Sequence, residues 1–232
     1  MTPGGMRVPN ADTWVVVPVY NEGTVVADVI AEIGEQFANV VCVDDGSRDD
    51  SVAQIAGTAA HLVRHPINLG QGASLQTGID YALRRGAEYL VTFDADGQHT
   101  VTDAERMVEI ARGGDVDVVL GSRFLESDEE IPALKKAVLR TVAVLSPSSR
   151  RLRLTDAHNG LRVLTRRVAE HLQISMNGMA HASEIVASLA RGSWRVREVP
   201  VTIRYTDYSR AKGQSLFNGV NILFDLSLRS QR

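Results

Sequence analysis

Short apolar runs alternate with amphipathic stretches through the first half of the chain. "WVVVPVY" (14–20), "NVVCVDD" (39–45), "HLVRH" (61–65), "YLVTFDAD" (89–96) and "VDVVLGS" (116–122) are rich in β-branched residues and bounded by turn formers, the pattern of strands. Between them, 24–36, 49–59, 72–85 and 102–112 space their apolar residues at helical intervals. Strands alternating with helices predict right-handed βαβ crossovers and an α/β fold, a doubly wound, mostly parallel sheet with helices on both faces. The near-continuous apolar strands agree, because such a sheet is covered on both sides. The second half is less regular: helix 132–145, strand 160–165, helices 166–172 and 180–191, a long strand 194–205, and an amphipathic helix from about 215. No linker rich in Pro, Gly or Ser and no repeat interrupts the chain, so residues 1–232 are expected to form a single domain with two functional halves, about 14–123 and about 124–232.

Polar residues punctuate the strand ends, where a doubly wound sheet binds its ligands. The first strand ends "PVYNE": Pro18 is expected to stop the ladder, leaving Asn21 and Glu22 in the loop. The second ends "VDDGSRDDS", with Asp44 and Asp45 before a glycine turn and Asp49 and Ser51 suited to capping the next helix. A carboxylate at that tip is where such a fold takes a hydrogen bond from a ribose or base. "NLGQGASLQTG" (68–78) sets Gly70 and Gly72 ahead of a helix N-terminus, which suits close backbone approach or a tight turn. The fourth strand runs into "DADGQH", where Asp94 and Asp96 point to the same side of an extended chain and Ala95 to the other. Two like charges side by side call for a cation. A lone D-x-D is a weak signal, and a surface turn accounts for it as simply.

Composition narrows the classes. With 44% hydrophobic and 23% charged residues over 232 positions, the chain is an ordinary globular protein with a sizeable core. Cys42, the only cysteine, lies inside an apolar run and reads as a buried structural thiol in a reducing compartment. The first residues carry no apolar export segment and no run of about 18 apolar residues occurs, so a cytoplasmic location is expected. The net charge of −3 is unevenly placed: nine basic residues between 131 and 167 face one acid, Asp156. That region either attracts anions or forms a solvated helix face. The few aromatics do not interleave with it, which argues against nucleic-acid binding.

Taken in order, "VVVPVYNE", "VVCVDDGSRDDS", "NLGQGASLQTGI" and "VTFDADGQH", then "VLGSRF" (119–124), "TDAHNGLRVLTR" (155–166) and "VREVPVTIRY", resemble the motifs of family 2 glycosyltransferases of the GT-A fold. The resemblance is closest to the dolichol-phosphate or polyprenyl-phosphate sugar synthase branch and covers roughly 15–222. It implies that Pro18, Tyr20, Glu22 and Gly72 line a nucleotide-sugar pocket, that Asp45 hydrogen-bonds the base, and that Asp94 contacts the donor's ribose or sugar. It further implies that Asp96, with Asp94 beside it, holds Mg²⁺ or Mn²⁺ on the diphosphate, and that transfer is a single in-line displacement inverting the anomeric carbon. Asp156 matches a carboxylate proposed as base, and Glu184 is a second candidate. Arg123 and Arg162 would grip an acceptor phosphate through charge-assisted bonds. One departure stands out: the synthases commonly carry Ser or Thr before the glycine where this chain has His158 and Asn159. His99 and His181 stand behind the site as supporting or structural groups.

The acceptor implied is a polyprenyl phosphate; a glycan hydroxyl is the alternative and would need a general base. Lys135, Lys136 and Arg140 beside Leu134, Val138, Leu139 and Val142 suit an interfacial helix at the inner face of a membrane, although a core helix with a solvated edge gives the same pattern. Peripheral association, a separate membrane subunit and a homodimer all stay open as partners. Two rivals fare worse. A nucleotidyltransferase needs a glycine-rich basic loop after the first strand, which "PVYNEGT" lacks, and a non-catalytic nucleotide-binding protein has no need of the paired acids.

Overall fold

The run of valines from position 15 builds β1 (Thr13–Val19), the strand around which the sheet is arranged. The computed structural model describes residues 10–125, 146–178, 180–204 and 208; the expected helix 132–145, with Lys135, Lys136 and Arg140, and the expected C-terminal amphipathic helix lie outside the described residues. After β1 come α1 (Val26–Gly34), β2 (Asn39–Asp44), α2 (Ser51–Ala56), β3 (His61–Arg64), α3 (Gln71–Arg84), β4 (Tyr89–Thr92), α4 (Val101–Arg112) and β5 (Val118–Ser122). The second half adds α5 (Pro147–Leu152), β6 (Arg162–Thr165), α6 (Arg166–Ala169), α7 (His181–Arg191) and β7 (Val196–Pro200). The seven strands among the described residues lie in the order β3-β2-β1-β4-β6-β5-β7. All neighbours are parallel except β6, which runs antiparallel to both β4 and β5. The reversal puts the first residue of β6 at the edge where the other strands end: Arg162 lies opposite Thr92 on one side and Leu120 on the other.

Helices cover both faces, as the doubly apolar strands require. Val26, Ile30 and Ile33 of α1, Ile55 of α2 and Met107 and Val108 of α4 pack with Val15, Val17 and Val19 on one face. Leu75 and Ile79 of α3, Val168 of α6 and Ile185 and Leu189 of α7 pack with Val16, Val41 and Val43 on the other. Cys42 is fully buried, and burial pushes its thiol up to about 12, so it stays protonated and serves as packing.

Two expectations about strand ends are corrected. Pro18 lies inside β1, paired with Val43, and the strand continues to Val19. The ladder with β4 ends at Val16 and Thr92, and backbone polarity alternates, so the missing N–H of Pro18 faces a side where no strand is waiting. The long strand 194–205 is shorter than its pattern, ending at Pro200 because its partner β5 stops at Ser122. Beyond it, the Thr202 N–H donates to Asp103 (2.8 Å) and the Arg204 N–H to the Gln98 carbonyl (2.8 Å) instead of to a ladder.

The packing of α3 on β1 is close enough to require a glycine. A Cβ built on Gly78 would collide with the Val16 side chain, and Val43 stands only 3.3 Å away. Gly78→Ala should therefore destabilise the protein by about 1–3 kcal/mol, the range for overpacking a core, even though alanine is preferred within a helix by about 1 kcal/mol. A urea midpoint that falls checks this; one that rises would mean α3 shifts outward without strain.

At the opposite edge, Asp117 fastens the start of β5 to the start of β7. Its carboxylate accepts from the Arg195 N–H (2.8 Å) and from the Arg195 (3.0 Å) and Arg167 (2.8 Å) guanidinium groups. These bonds, with Arg195 first, hold its pKa well below the ordinary carboxylate range. A depressed folded pKa contributes stability above the unfolded value of about 3.9 that is lost as pH falls through the folded value. Wild type should thus exceed Asp117→Asn in thermal midpoint at pH 7, with the gap closing below about pH 4. An equal gap at pH 7 and pH 2.5 would contradict it.

Candidate active site

Past Thr92 the β4 chain keeps its alternation for four more residues, so Phe93 and Ala95 drop into the core while Asp94 and Asp96 rise on the carboxyl edge of the sheet. The turn closes at Gly97, whose φ of 73° favours glycine. Asp94 is gripped from three segments. Its Oδ1 accepts from Gln71 Nε2 (3.0 Å), its Oδ2 faces His99 Nε2 (3.1 Å), and the Gly160 backbone lies so near that any Cβ there would collide with the carboxylate. Burial pushes the Asp94 carboxyl up, but the His99 hydrogen bond and the charges of His99, Arg162 and His181 outweigh it, leaving the group below its ordinary range. Asp96 is less occupied. It accepts the Gln98 N–H (3.0 Å), and burial, the neighbouring Asp94 charge and Glu22 raise it to about 6.

The β1 and β2 loops form the adjoining wall. Asn21 adopts a left-handed backbone (φ 54°) and its Oδ1 accepts the Arg48 N–H (2.9 Å), while the Glu22 N–H donates to Ser51 Oγ (2.8 Å). Tyr208 Oη donates to Glu22 Oε2 (2.6 Å), Tyr20 is exposed on the rim, and Pro18 lies half-buried beneath it. Asp45 is buried at the tip of β2. Its Oδ1 meets His65 Nδ1 (2.8 Å) and the Leu69 N–H (2.9 Å), and its Oδ2 accepts the Gly70 N–H (2.7 Å), so the carboxylate shapes the loop that leads into α3.

Just past β5, Arg123 and Asp156 form a two-bonded pair, Nε to Oδ2 at 2.6 Å and Nη2 to Oδ1 at 2.8 Å, with the Arg123 N–H also donating to Oδ2 (3.2 Å). Burial works to raise the Asp156 carboxyl, but the Arg123 charge and hydrogen bonds prevail and it stays below the usual range. Arg162 is 3% exposed and, among the described residues, its guanidinium makes no hydrogen bond or ion pair; only the fields of Asp94 and Asp156 offset the burial that lowers its pKa. Glu184, on the first turn of α7, accepts from the Ser175 N–H (3.0 Å), Ser175 Oγ and the Met176 N–H (2.8 Å). The segment so fastened lies against α3: the Gly72 N–H donates to the Asn177 carbonyl (3.2 Å), and the space a Gly72 side chain would need is filled by the Met176 carbonyl. The glycine reflects close backbone approach, and the approaching backbone is the protein's own.

Residues 14–172 match the family described as Glycosyl transferase family 2. The chain belongs to that family. Among curated relatives, it is 25% identical over 92% of its length to the UDP-N-acetylglucosamine–dolichyl-phosphate N-acetylglucosaminyltransferase of Methanococcus voltae, covering 94% of that protein. It is 27% identical over 92% of its length to the polyprenol monophosphomannose synthase of Mycolicibacterium smegmatis, covering 84% of it. Among solved structures, glucosyl-3-phosphoglycerate synthase from Mycobacterium tuberculosis in complex with UDP superposes with a TM-score of 0.71 over 92% of this chain and 78% of that one, at 15% identity. The likeness establishes a GT-A fold.

Within this family 2 glycosyltransferase, several site groups escape a reading of the motifs alone. Gln71 and Gly160 fix Asp94 from 23 residues before it and from the turn before β6. Glu198 on β7 accepts from the Thr155 N–H (2.8 Å) and the Asp156 N–H (2.7 Å), holding the turn that carries Asp156. A glutamate in a strand of alternating exposure was the only available signal for it. Among the described residues, no three His, Cys, Asp or Glu converge as a ready-made cage. A hard divalent ion on a diphosphate needs no cage, taking one or two carboxylates with phosphate oxygens and water. Asp96, raised by burial and then by the negative charges of Asp94 and Glu22, fits that role.

The glycine at 160 gives a direct test of the grip on Asp94. Gly160→Ala must push the carboxylate aside, and a displacement near 1 Å at a reacting centre costs about 10²-fold in rate. Sugar-transfer activity should fall by that order while the far-ultraviolet spectrum is kept. Activity within twofold of wild type would show that Asp94 tolerates movement.

Proposed function

We propose that this chain transfers a sugar from a nucleotide-sugar to the phosphate of a polyprenyl phosphate, with inversion at the anomeric carbon and dependence on Mg²⁺ or Mn²⁺. The observation that carries the choice of acceptor is that both candidate bases are spent. Asp156 gives both oxygens to Arg123, and Glu184 gives both to the 175–176 segment. A hydroxyl acceptor needs a carboxylate that is free to take its proton and tuned toward neutrality, whereas Asp156 is held below the ordinary range. A phosphate monoester arrives ionised and needs only to be held.

The proposed roles use these positions. Asp94, fixed on three sides, orients the donor's ribose or sugar, and Tyr20, Glu22 and Pro18 wall its nucleotide. Oδ2 of Asp45 accepts a single hydrogen bond among the described residues, which leaves one lone-pair direction for the base. Asp96, with Asp94 beside it, would hold the cation, whose contribution is to neutralise the departing nucleoside diphosphate. Arg162 and Arg123 receive the acceptor phosphate on the far side of the sugar, and Asp156 keeps Arg123 in place. The two named relatives act on dolichyl phosphate and make a polyprenol monophosphomannose, which supports the same acceptor class here. No helix among the described residues is long and apolar enough to cross a membrane. The lipid acceptor of this reading calls for work at a membrane surface, alone or with a membrane subunit.

The test is mass spectrometry of products from a panel of nucleotide-sugars with dolichyl or undecaprenyl phosphate in mixed micelles containing Mg²⁺ or Mn²⁺. A glycosyl phosphoprenol is expected, and Asp96→Asn should reduce its formation by at least about 10²-fold with an unchanged melting curve. Transfer to hydroxyl acceptors alone would overturn the acceptor. Full turnover in Asp96→Asn would overturn the metal assignment.

A further inference from the structure

His158 lies in the turn beside Asp156 and has no role in the account above. The 155–160 turn that carries it is held from beneath by Glu198, and the His158 N–H itself donates to Asp156 Oδ1 (3.3 Å). The ring is oriented by α7, with Nε2 at 3.2 Å from Ser183 Oγ. His158 and Ser183 are both half-buried, and among the described residues Nδ1 of His158 has no hydrogen-bond partner. Burial and the positive charges of Arg162, Arg123 and His181 bring the imidazolium down to about 4, against the pull of Asp156, so the ring is neutral at physiological pH. Either group can donate in this pair; with the Ser183 hydroxyl donating to Nε2, the tautomer on which the proposal below rests, the ring proton sits on Nδ1.

A second, independent feature points to what receives it. The Arg162 guanidinium is almost wholly buried, carries five donors, and makes no hydrogen bond or ion pair among the described residues. A buried cation without hydrogen bonds is costly, and a bound anion removes the cost. Both Arg162 and Arg123 act on the His158 ring through their charges, so the ring shares their positive field.

We propose that His158, oriented by Ser183, joins Arg162 in a subsite for a phosphomonoester, donating Nδ1–H to one phosphate oxygen while the guanidinium takes others. The division of labour is physical. Arg162 supplies charge, which attracts any anion, and the neutral imidazole supplies one directional donor, which selects an oxygen at a fixed place. His158 is thus a specificity residue for the acceptor headgroup and Ser183 a positioning residue. The inference deepens the acceptor reading and rests on it for the carrier of the phosphate, since a lipid phosphate and a soluble phosphomonoester present the same headgroup.

The experiment pairs binding with kinetics. Inorganic phosphate, glycerol phosphate and farnesyl phosphate are titrated calorimetrically into wild type, His158→Ala, His158→Asn and Ser183→Ala at pH 7.5, and acceptor and donor KM are measured with farnesyl phosphate. His158→Ala should weaken inorganic phosphate about tenfold and raise the acceptor KM by a like factor, leaving the donor KM unmoved. His158→Asn, which keeps an N–H donor, should recover most of the loss, and Ser183→Ala should fall between. If His158→Ala fails to fold, the other two variants carry the comparison. Tighter farnesyl than glycerol phosphate binding assigns the carrier to lipid, and the reverse assigns it to a soluble ester. Unchanged phosphate binding or acceptor KM in the His158 variants overturns the subsite while leaving the acceptor reading intact. His158-dependent phosphate binding without transfer to any prenyl phosphate keeps the subsite and overturns the acceptor reading. No phosphate binding by wild type overturns both.

Discussion

The carboxylate of Asp94 is held between Gln71, His99 and the backbone of Gly160, and much of the surrounding architecture exists to bring those three segments to one point. Gln71 is the first residue of α3, so the helix must begin where it does, and the Asp45 carboxylate that collects the Leu69 and Gly70 N–H groups sets that beginning. Gly160 comes from the turn before β6, so β6 must enter the sheet antiparallel, beside β4. A side chain on three fixed supports has lost its rotamer freedom before any ligand arrives, which is the sense in which the site is preorganised. The same grip separates two acids that look alike in sequence. Asp94 is hydrogen-bonded and held ionised, whereas Asp96 has one backbone donor and a raised pKa, so an incoming positive charge gains most at Asp96.

How far the fold was legible follows from which interactions are local. Period-two and period-3.6 patterns are local, and they located the parallel strands, the helices between them and the two-sided core. Where a strand ended was less legible, because that depends on the partner: Pro18 is tolerated in β1 since β4 has already turned away, and 201–204 leave the sheet because β5 stops. The insertion of β6 between β4 and β5 had no local signature at all. It is a long-range pairing, and the antiparallel direction that brings Arg162 to the site edge follows from it alone.

The candidate site divides in the same way. Acids at strand tips were legible because a doubly wound sheet places strand tips at its ligand edge. Their partners were not. Arg123 pairs with Asp156 across 33 residues, and Glu198 reaches back 42 residues to hold that same turn. Nothing in the spacing of those residues predicts that a carboxylate suited to proton transfer is tied up by a guanidinium. Gly72 shows the intermediate case: the requirement for close approach could be read from the glycine, but the identity of the approaching backbone, Met176 and Asn177, is a tertiary fact.

Buried polar groups without partners are few in folded proteins, and where they gather carries information. Five buried side-chain atoms among the described residues have no hydrogen-bond partner: Ser74 Oγ and Ser149 Oγ on helices, and Asp44 Oδ2 (3.8 Å from Arg64 Nε), His99 Nδ1 and Asn159 Nδ2, which belong to segments at the carboxyl edge, where the Arg162 guanidinium also lies. Each costs stability, and hydrophobic replacements would fit a folding requirement better. The opposite edge follows the contrary rule: there Asp117 has its oxygens matched by Arg195 and Arg167 and makes no call on anything outside the protein. The two ends of one sheet thus differ, with satisfied charges at one and donors and acceptors lacking hydrogen bonds at the other, which is the sacrifice expected of a fold whose edge takes the charged substrate proposed above.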